Sequence, residues 1–227
     1  MEQVRRHVWL LFFINGLLLA SWAVEIPNVQ AKLNLGDGLL GLLLFTMVVG
    51  NVAALPVVNA ALPRVGVRVT ATFSLLLMAL SLAALPYMPD VWLTGLMLGL
   101  FGAGFSGVDL AMNTAGAWLE QRLERPLMSG LHGAFSVGAL LGALLGSALL
   151  GQGVTRTTHL AIFGLLAALT ASWVVRVIPT CDGKRPLRNF TLCQTGNFPF
   201  CSSCCVVFEH QAGLWTAQSS RHVTALR

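Results

Sequence analysis

Two polar residues one helical turn apart, Asp109 and Asn113 in the stretch GVDLAMNTAG, are the first place to look for chemistry in this chain. Between residues 91 and 117, Asp109 is the only charged residue. An ionised carboxylate in hydrocarbon is costly, so such a residue normally faces a bundle interior, a water-filled path or a partner. Held there, it is suited to taking up and releasing a proton near neutral pH. Asn113, four residues on, falls on the same helix face. The pair offers an acceptor and a donor at one level, suited to the hydroxyls of a solute or to water in a polar path. The plainer readings are a hydrated Asp109 near the helix end, bonded to a neighbouring helix, and an Asn113 that joins two helices.

Glu25 lies about as deep in the first apolar segment as Asp109 does in the fourth. If the first three segments and the last three are inverted repeats, these two acids occupy corresponding helices, a common pointer to a transport path. Pro27 frees backbone carbonyls there, as at a broken helix end. Glu25 reads equally as an interfacial residue. His132, in GLHGAFSVG, titrates near neutrality and is either a proton relay or a partner in a cap or an interhelical hydrogen bond. Within the apolar segments nothing resembles a nucleophile with its base or a metal triad, so no enzyme activity, metal or cofactor is expected.

The elements that must hold these residues follow from composition. Of 227 residues, 56% are hydrophobic and only 10% are charged, and the mean hydropathy is +0.74. A soluble domain would carry about 25% charged residues, so lipid is the expected solvent. Six apolar segments, at about 8–27, 38–60, 67–88, 91–117, 127–150 and 159–178, are each near or above the roughly 20 residues a helix needs to cross hydrocarbon. Further spans follow the first at once, so it is read as a retained helix rather than a signal peptide. The expected fold is all-α and polytopic, six transmembrane helices in one bundle.

The formal charge of +5 does not point to nucleic acid, because its distribution follows the membrane. Arg5, Arg6, Arg64, Arg68, Arg122, Arg125, Arg176, Lys184, Arg185 and Arg188 share one side; only Lys32 and Arg156 fall in the opposite loops. That is the positive-inside pattern, with both termini cytoplasmic. Arg64 and Arg68, and then Glu120, Arg122, Glu124 and Arg125, form two clusters on that side. They are topology signals, or salt bridges that gate a rocking bundle, or both. Trp9, Trp92 and Tyr87 sit near segment ends as interface anchors.

The links between segments are short, as in a bundle of antiparallel neighbours. Pro56 lies inside the second segment, where it is expected to kink the helix. Gly138, Gly142 and Gly146, and Gly95 and Gly99, recur at steps of four and predict close helix contacts. After Pro179 the composition changes. All five cysteines (Cys181, Cys193, Cys201, Cys204 and Cys205) fall in a polar tail with no helical period. Their spacing builds neither a disulfide framework nor a four-ligand zinc site. The expected domains are a bundle over 1–178 and an atypical tail over 179–227 that reads as out-of-frame sequence.

The strings NGLLLASWAVEIPNVQAKLNLGDGLLGLLLF (15–45) and GVDLAMNTAGAWLEQRLERPLMSGLHGAFSVGALLGALLG (107–146), with RVGVR after the second segment, resemble the bacterial major facilitator superfamily. They are most similar to its inner-membrane permeases related to the proton-coupled fucose permease. The resemblance covers about residues 8–178. It implies a twelve-helix, two-bundle transporter that works by alternating access, of which this chain supplies the amino-terminal half. By position, the acid of the fourth helix falls on Asp109, with Asn113 after it, and that of the first falls on Glu25. The family's loop after the second helix carries an acid before its arginine. Here the stretch is NAALPRVGVR, which keeps Arg64, Gly66 and Arg68 and has no acid.

The function expected is proton-coupled transport of a small polar solute such as a sugar across the bacterial inner membrane, by a truncated form. The partners expected are that solute, protons, lipid, and either a second copy or a missing carboxy-terminal bundle. The rival reading is a six-helix accessory protein with no transport of its own.

Overall fold

In the computed structural model the described residues are 2–177. The expected tail and its cysteines lie outside them, as do the basic residues Lys184, Arg185 and Arg188. Six α-helices follow in order: α1 (Glu2–Ala23), α2 (Ile26–Leu33), α3 (Asp37–Ala84), α4 (Val91–Leu123), α5 (Met128–Gly151) and α6 (Arg156–Val177), with a 3-10 turn at Leu85–Tyr87. There is no strand among the described residues. Five helical stretches are long and apolar enough to cross a membrane, counting α1 and α2 as one.

The second and longest of these, which contains α3, spans twice. A straight helix of the 48 residues of α3 would be roughly 70 Å long, more than twice the hydrocarbon thickness. Yet its two ends lie together. Lys32, five residues before α3 starts, donates from Nζ to the carbonyls of Pro86 (2.8 Å) and Met88 (2.6 Å), just after it ends. The reversal is at Gly66, whose backbone leaves the helical region (φ 83°, ψ 164°) for one that only glycine enters at little cost. This yields the six crossings expected, but the break is later and sharper than the sequence suggests. Helical dihedrals continue through Pro56 and Pro63, and the chain turns at the glycine.

Contacts across the helices give their order. Both arms of α3 lie along α4. A side chain at Gly50 would strike the backbone of Gly99, one at Gly102 the carbonyl of Met47, and one at Gly104 the carbonyl of Ser74. On the other side α1 and α5 run parallel. A Cβ at Gly16 would meet the carbonyl of Phe135, and Cβ atoms at Gly138 and Gly142 would meet those of Phe13 and Leu17. The steps of four glycines thus serve close backbone approach, where packing and not water exclusion drives association. Antiparallel to α1, α6 sets Trp173 edge-on to His7 (4.9 Å between rings) and Arg156 beside Asn28.

The bundle therefore has a basic end, with Arg5, Arg6, Arg64, Arg68, Arg122, Arg125 and Arg176, and a far end, with Glu25, Lys32, Asp90, Arg156 and His159. The core between them is apolar: Phe12, Leu18, Leu75, Met78, Leu98, Phe101, Met112 and Leu160 are fully buried. Leu42, Val57, Phe73, Leu80, Leu140 and Leu165 project outward, as a lipid solvent favours. Trp92 and Tyr87 are exposed beside the far end, where interface anchors belong.

Candidate functional site

Asp109 sits past the middle of α4, on a face only partly covered by the bundle. Asn113 folds back onto it, its Nδ2 donating to the Asp109 carbonyl (2.8 Å) and to Oδ1 (3.2 Å). This is the pairing that the four-residue spacing predicts. His132 is on the second turn of α5, exposed, with its ring edge-on to Phe12 (5.4 Å between centroids). It is near enough to Asp109 for the two to interact electrostatically. Three of the expected residues, Asp109, Asn113 and His132, thus form one polar patch. A carboxylate, an amide and an imidazole on one surface can exchange hydrogen bonds with hydroxyls and pass a proton.

Glu25 is elsewhere. α1 and α4 are antiparallel, and Asn15 of α1 meets Met112 of α4 (Nδ2 to Sδ, 3.6 Å). On that register Asp109 is level with about residue 18 of α1, and Glu25 lies about 10 Å nearer the far end. Equal depth counted along two antiparallel helices leads to different levels. Glu25 is also fully buried, as is His159 of α6, whose Nδ1 lies 2.5 Å from Glu25 Oε1. The other carboxylate oxygen accepts from Asn28 Nδ2 (2.9 Å). The break expected near Pro27 is present. α1 stops at Ala23, two residues turn, and Pro27 stands in the first turn of α2, where it lacks no needed N–H.

The basic-end cluster divides by role. Glu120 Oε2 accepts from the backbone N–H groups of Leu127 (2.7 Å) and Met128 (2.8 Å), so a side chain of α4 caps α5, which has no cap of its own. The Arg122 guanidinium lies over Trp118, 5.5 Å from the ring. Arg64 and Arg125 are exposed and Arg68 is half-buried. Glu120 thus has a structural role, because α5's first amides need an acceptor. A cleft of about 460 Å³ opens at this end between α1 and α5, lined by Arg5, Arg6, Trp9 and Leu131 among others. It stands apart from Asp109.

Two residues that sequence reasoning passed over belong to the polar interior. Asn15 is the only amide in the first segment and is fully buried, with its Oδ1 unpaired; an amide in so apolar a run was a usable signal. His159 gave none, since it reads as part of the loop before the sixth segment.

Comparison with known proteins fits this architecture. A family model described as Major Facilitator Superfamily matches residues 8–210, beyond the 178 at which the sequence resemblance was placed. The chain is 36% identical over 165 residues to an uncharacterised MFS-type transporter of Yersinia pestis, covering 70% of this chain and 43% of that protein. It is 32% identical to an uncharacterised transporter of Sinorhizobium fredii, over 58% of this chain and 35% of that one. Membrane protein MosC of Rhizobium meliloti is 33% identical over 59% of this chain and 33% of its own length. The chain thus spans less than half the length of the curated relatives it matches. With a six-crossing, all-helical bundle and a family match over most of its length, this chain belongs to the Major Facilitator Superfamily.

Proposed function

We propose that the chain forms the amino-terminal bundle of a proton-coupled transporter for a small polar solute, a sugar among the candidates. The observation that carries this reading is the Asp109, Asn113 and His132 patch on a partly open face of an apolar bundle. A polar group in hydrocarbon costs free energy, and a solute path offsets that cost by bringing water and hydroxyls to it. Asp109 holds and releases the coupled proton, Asn113 orients the carboxylate and bonds solute hydroxyls, and His132 supplies the nearest basic group. The basic end faces the cytoplasm of a bacterial inner membrane, by the excess of arginine there. The face carrying the patch meets a second bundle, either a carboxy-terminal one of the kind implied by the relatives' length or a second copy.

The experiment is uptake of labelled neutral monosaccharides into proteoliposomes under an imposed pH gradient, with the full chain and with Asp109→Asn. Uptake that needs the gradient and is lost in Asp109→Asn supports the assignment. Gradient-driven uptake equal in both refutes the role of Asp109. No uptake of any sugar by either refutes transport by this chain alone, and favours the accessory six-helix protein.

A further inference from the structure

At the far end, three ties converge on the segment from Glu25 to Lys32. Glu25 pairs with His159 of α6, Arg156 Nη1 donates to the Asn28 carbonyl (3.1 Å), and Lys32 holds the carbonyls of Pro86 and Met88. Two are exposed contacts between a long cation and backbone oxygens. The first is different in kind: both partners are fully buried, it joins residues 134 positions apart, and it sits on the two-residue break between α1 and α2. His159 Nε2 is buried with no partner, its ring is edge-on to Phe163 (4.9 Å), and the Gly146 backbone closes the space beside it.

We propose that Glu25 and His159 form a proton-operated latch, closed while the pair holds one proton and released when it takes up a second. With one proton, carboxylate and imidazolium (or acid and imidazole) share it across the short contact, and the pair is neutral as a whole. With two, a carboxylic acid and an imidazolium face each other, and one net positive charge is left in an apolar enclosure. Among the described residues no carboxylate stands ready to neutralise it. α1 has no titratable residue between His7 and Glu25, and the last four turns of α5 have none. α6 contributes Arg156 and α2 contributes Lys32, both cationic. The other far-end carboxylates are engaged, Asp37 by Gln30 (3.1 Å) and Asp90 by the Leu93 N–H (2.8 Å). The second proton therefore expels the pair, and the break before Ile26 lets α2 swing on α1. The latch is separate from the Asp109 patch and does not rest on the solute path proposed there.

Hydrogen–deuterium exchange of the full chain in lipid nanodiscs tests this, read over 26–33 with 139–151 as internal reference and corrected for intrinsic exchange. Acidification from pH 7 to about pH 4 is expected to raise exchange over 26–33 at least tenfold. Exchange over 139–151 stays constant. In His159→Asn, whose amide still bonds the carboxyl but takes up no proton, the profile becomes flat, whereas in Glu25→Gln a single proton on His159 already leaves the uncompensated charge, so exchange over 26–33 still rises on acidification. A flat profile in the parent chain overturns the latch. So does the parent profile persisting in His159→Asn, and so does loss of protection over 26–33 and 139–151 together, which marks acid unfolding of the bundle.

Discussion

The cap that Glu120 places on α5 should be measurable as stability. In Glu120→Ala, the backbone N–H groups of Leu127 and Met128 lose an ionised acceptor at 2.7 and 2.8 Å. Losing a helix cap costs about 0.5–2 kcal/mol, and the interaction of a carboxylate with a helix N-terminus adds about 0.3–1 kcal/mol. The site is partly exposed, so water recovers part of the loss, and about 1–2 kcal/mol in total is expected. For a chain of this size that is a fall of roughly 2–8 °C in midpoint. Glu120→Gln keeps an acceptor and loses the charge, so it should fall by about half as much. Glu124→Ala, at an exposed neighbour for which no cap contact is seen, should move the midpoint by less than about 1 °C. The assay is thermal unfolding in one detergent at one scan rate, followed by circular dichroism. Equal midpoints for Glu120→Ala and Glu124→Ala would refute the capping argument.

Other outcomes follow from the same geometry. Gly138→Ala drives a methyl into the Phe13 carbonyl and should destabilise the bundle by about 1–3 kcal/mol, whereas Gly133→Ala, with nothing nearby, should be neutral or stabilise by up to about 1 kcal/mol; denaturation midpoints compare them. Gly66→Ala forces a side chain into a backbone region suited to glycine and should cost about 1–3 kcal/mol, read the same way. In Asn15→Leu the unpaired buried oxygen is removed, so the midpoint should stay the same or rise; a fall beyond about 2 kcal/mol would mean that Asn15 holds a partner when the protein is in lipid.

What the sequence revealed and what it hid divide along one physical line. Crossings, glycine contacts, the Asp109 and Asn113 pairing and the break near Pro27 are properties of one helix face or one turn, and periodicity and residue type report them. The reversal at Gly66 is local too, but two prolines nearby carried the stronger breaker signal, and in a packed helix both were accommodated. Partnerships across the bundle left no trace. His159 meets Glu25 only because α6 returns antiparallel to α1, and Glu120 reaches Leu127 only because α4 and α5 join in a tight turn. The level of Glu25 relative to Asp109 likewise depends on helix direction and register, which counting from span ends does not supply.

A solute path of the kind proposed requires that water reach the Asp109, Asn113 and His132 patch although lipid covers the rest of the bundle at that depth. The most direct test is the reactivity of a single cysteine toward a charged, membrane-impermeant maleimide, in nanodiscs, in a chain whose five native cysteines are serine. Asn113→Cys on the patch is compared with Val69→Cys, at about the same level on the second arm of α3, where the side chain is 52% exposed in the bundle and would be covered by lipid. Residue 113 is expected to label at least tenfold faster than residue 69. Equal, slow labelling at both positions would contradict that path, leaving Asp109 a carboxylate that no water or solute reaches.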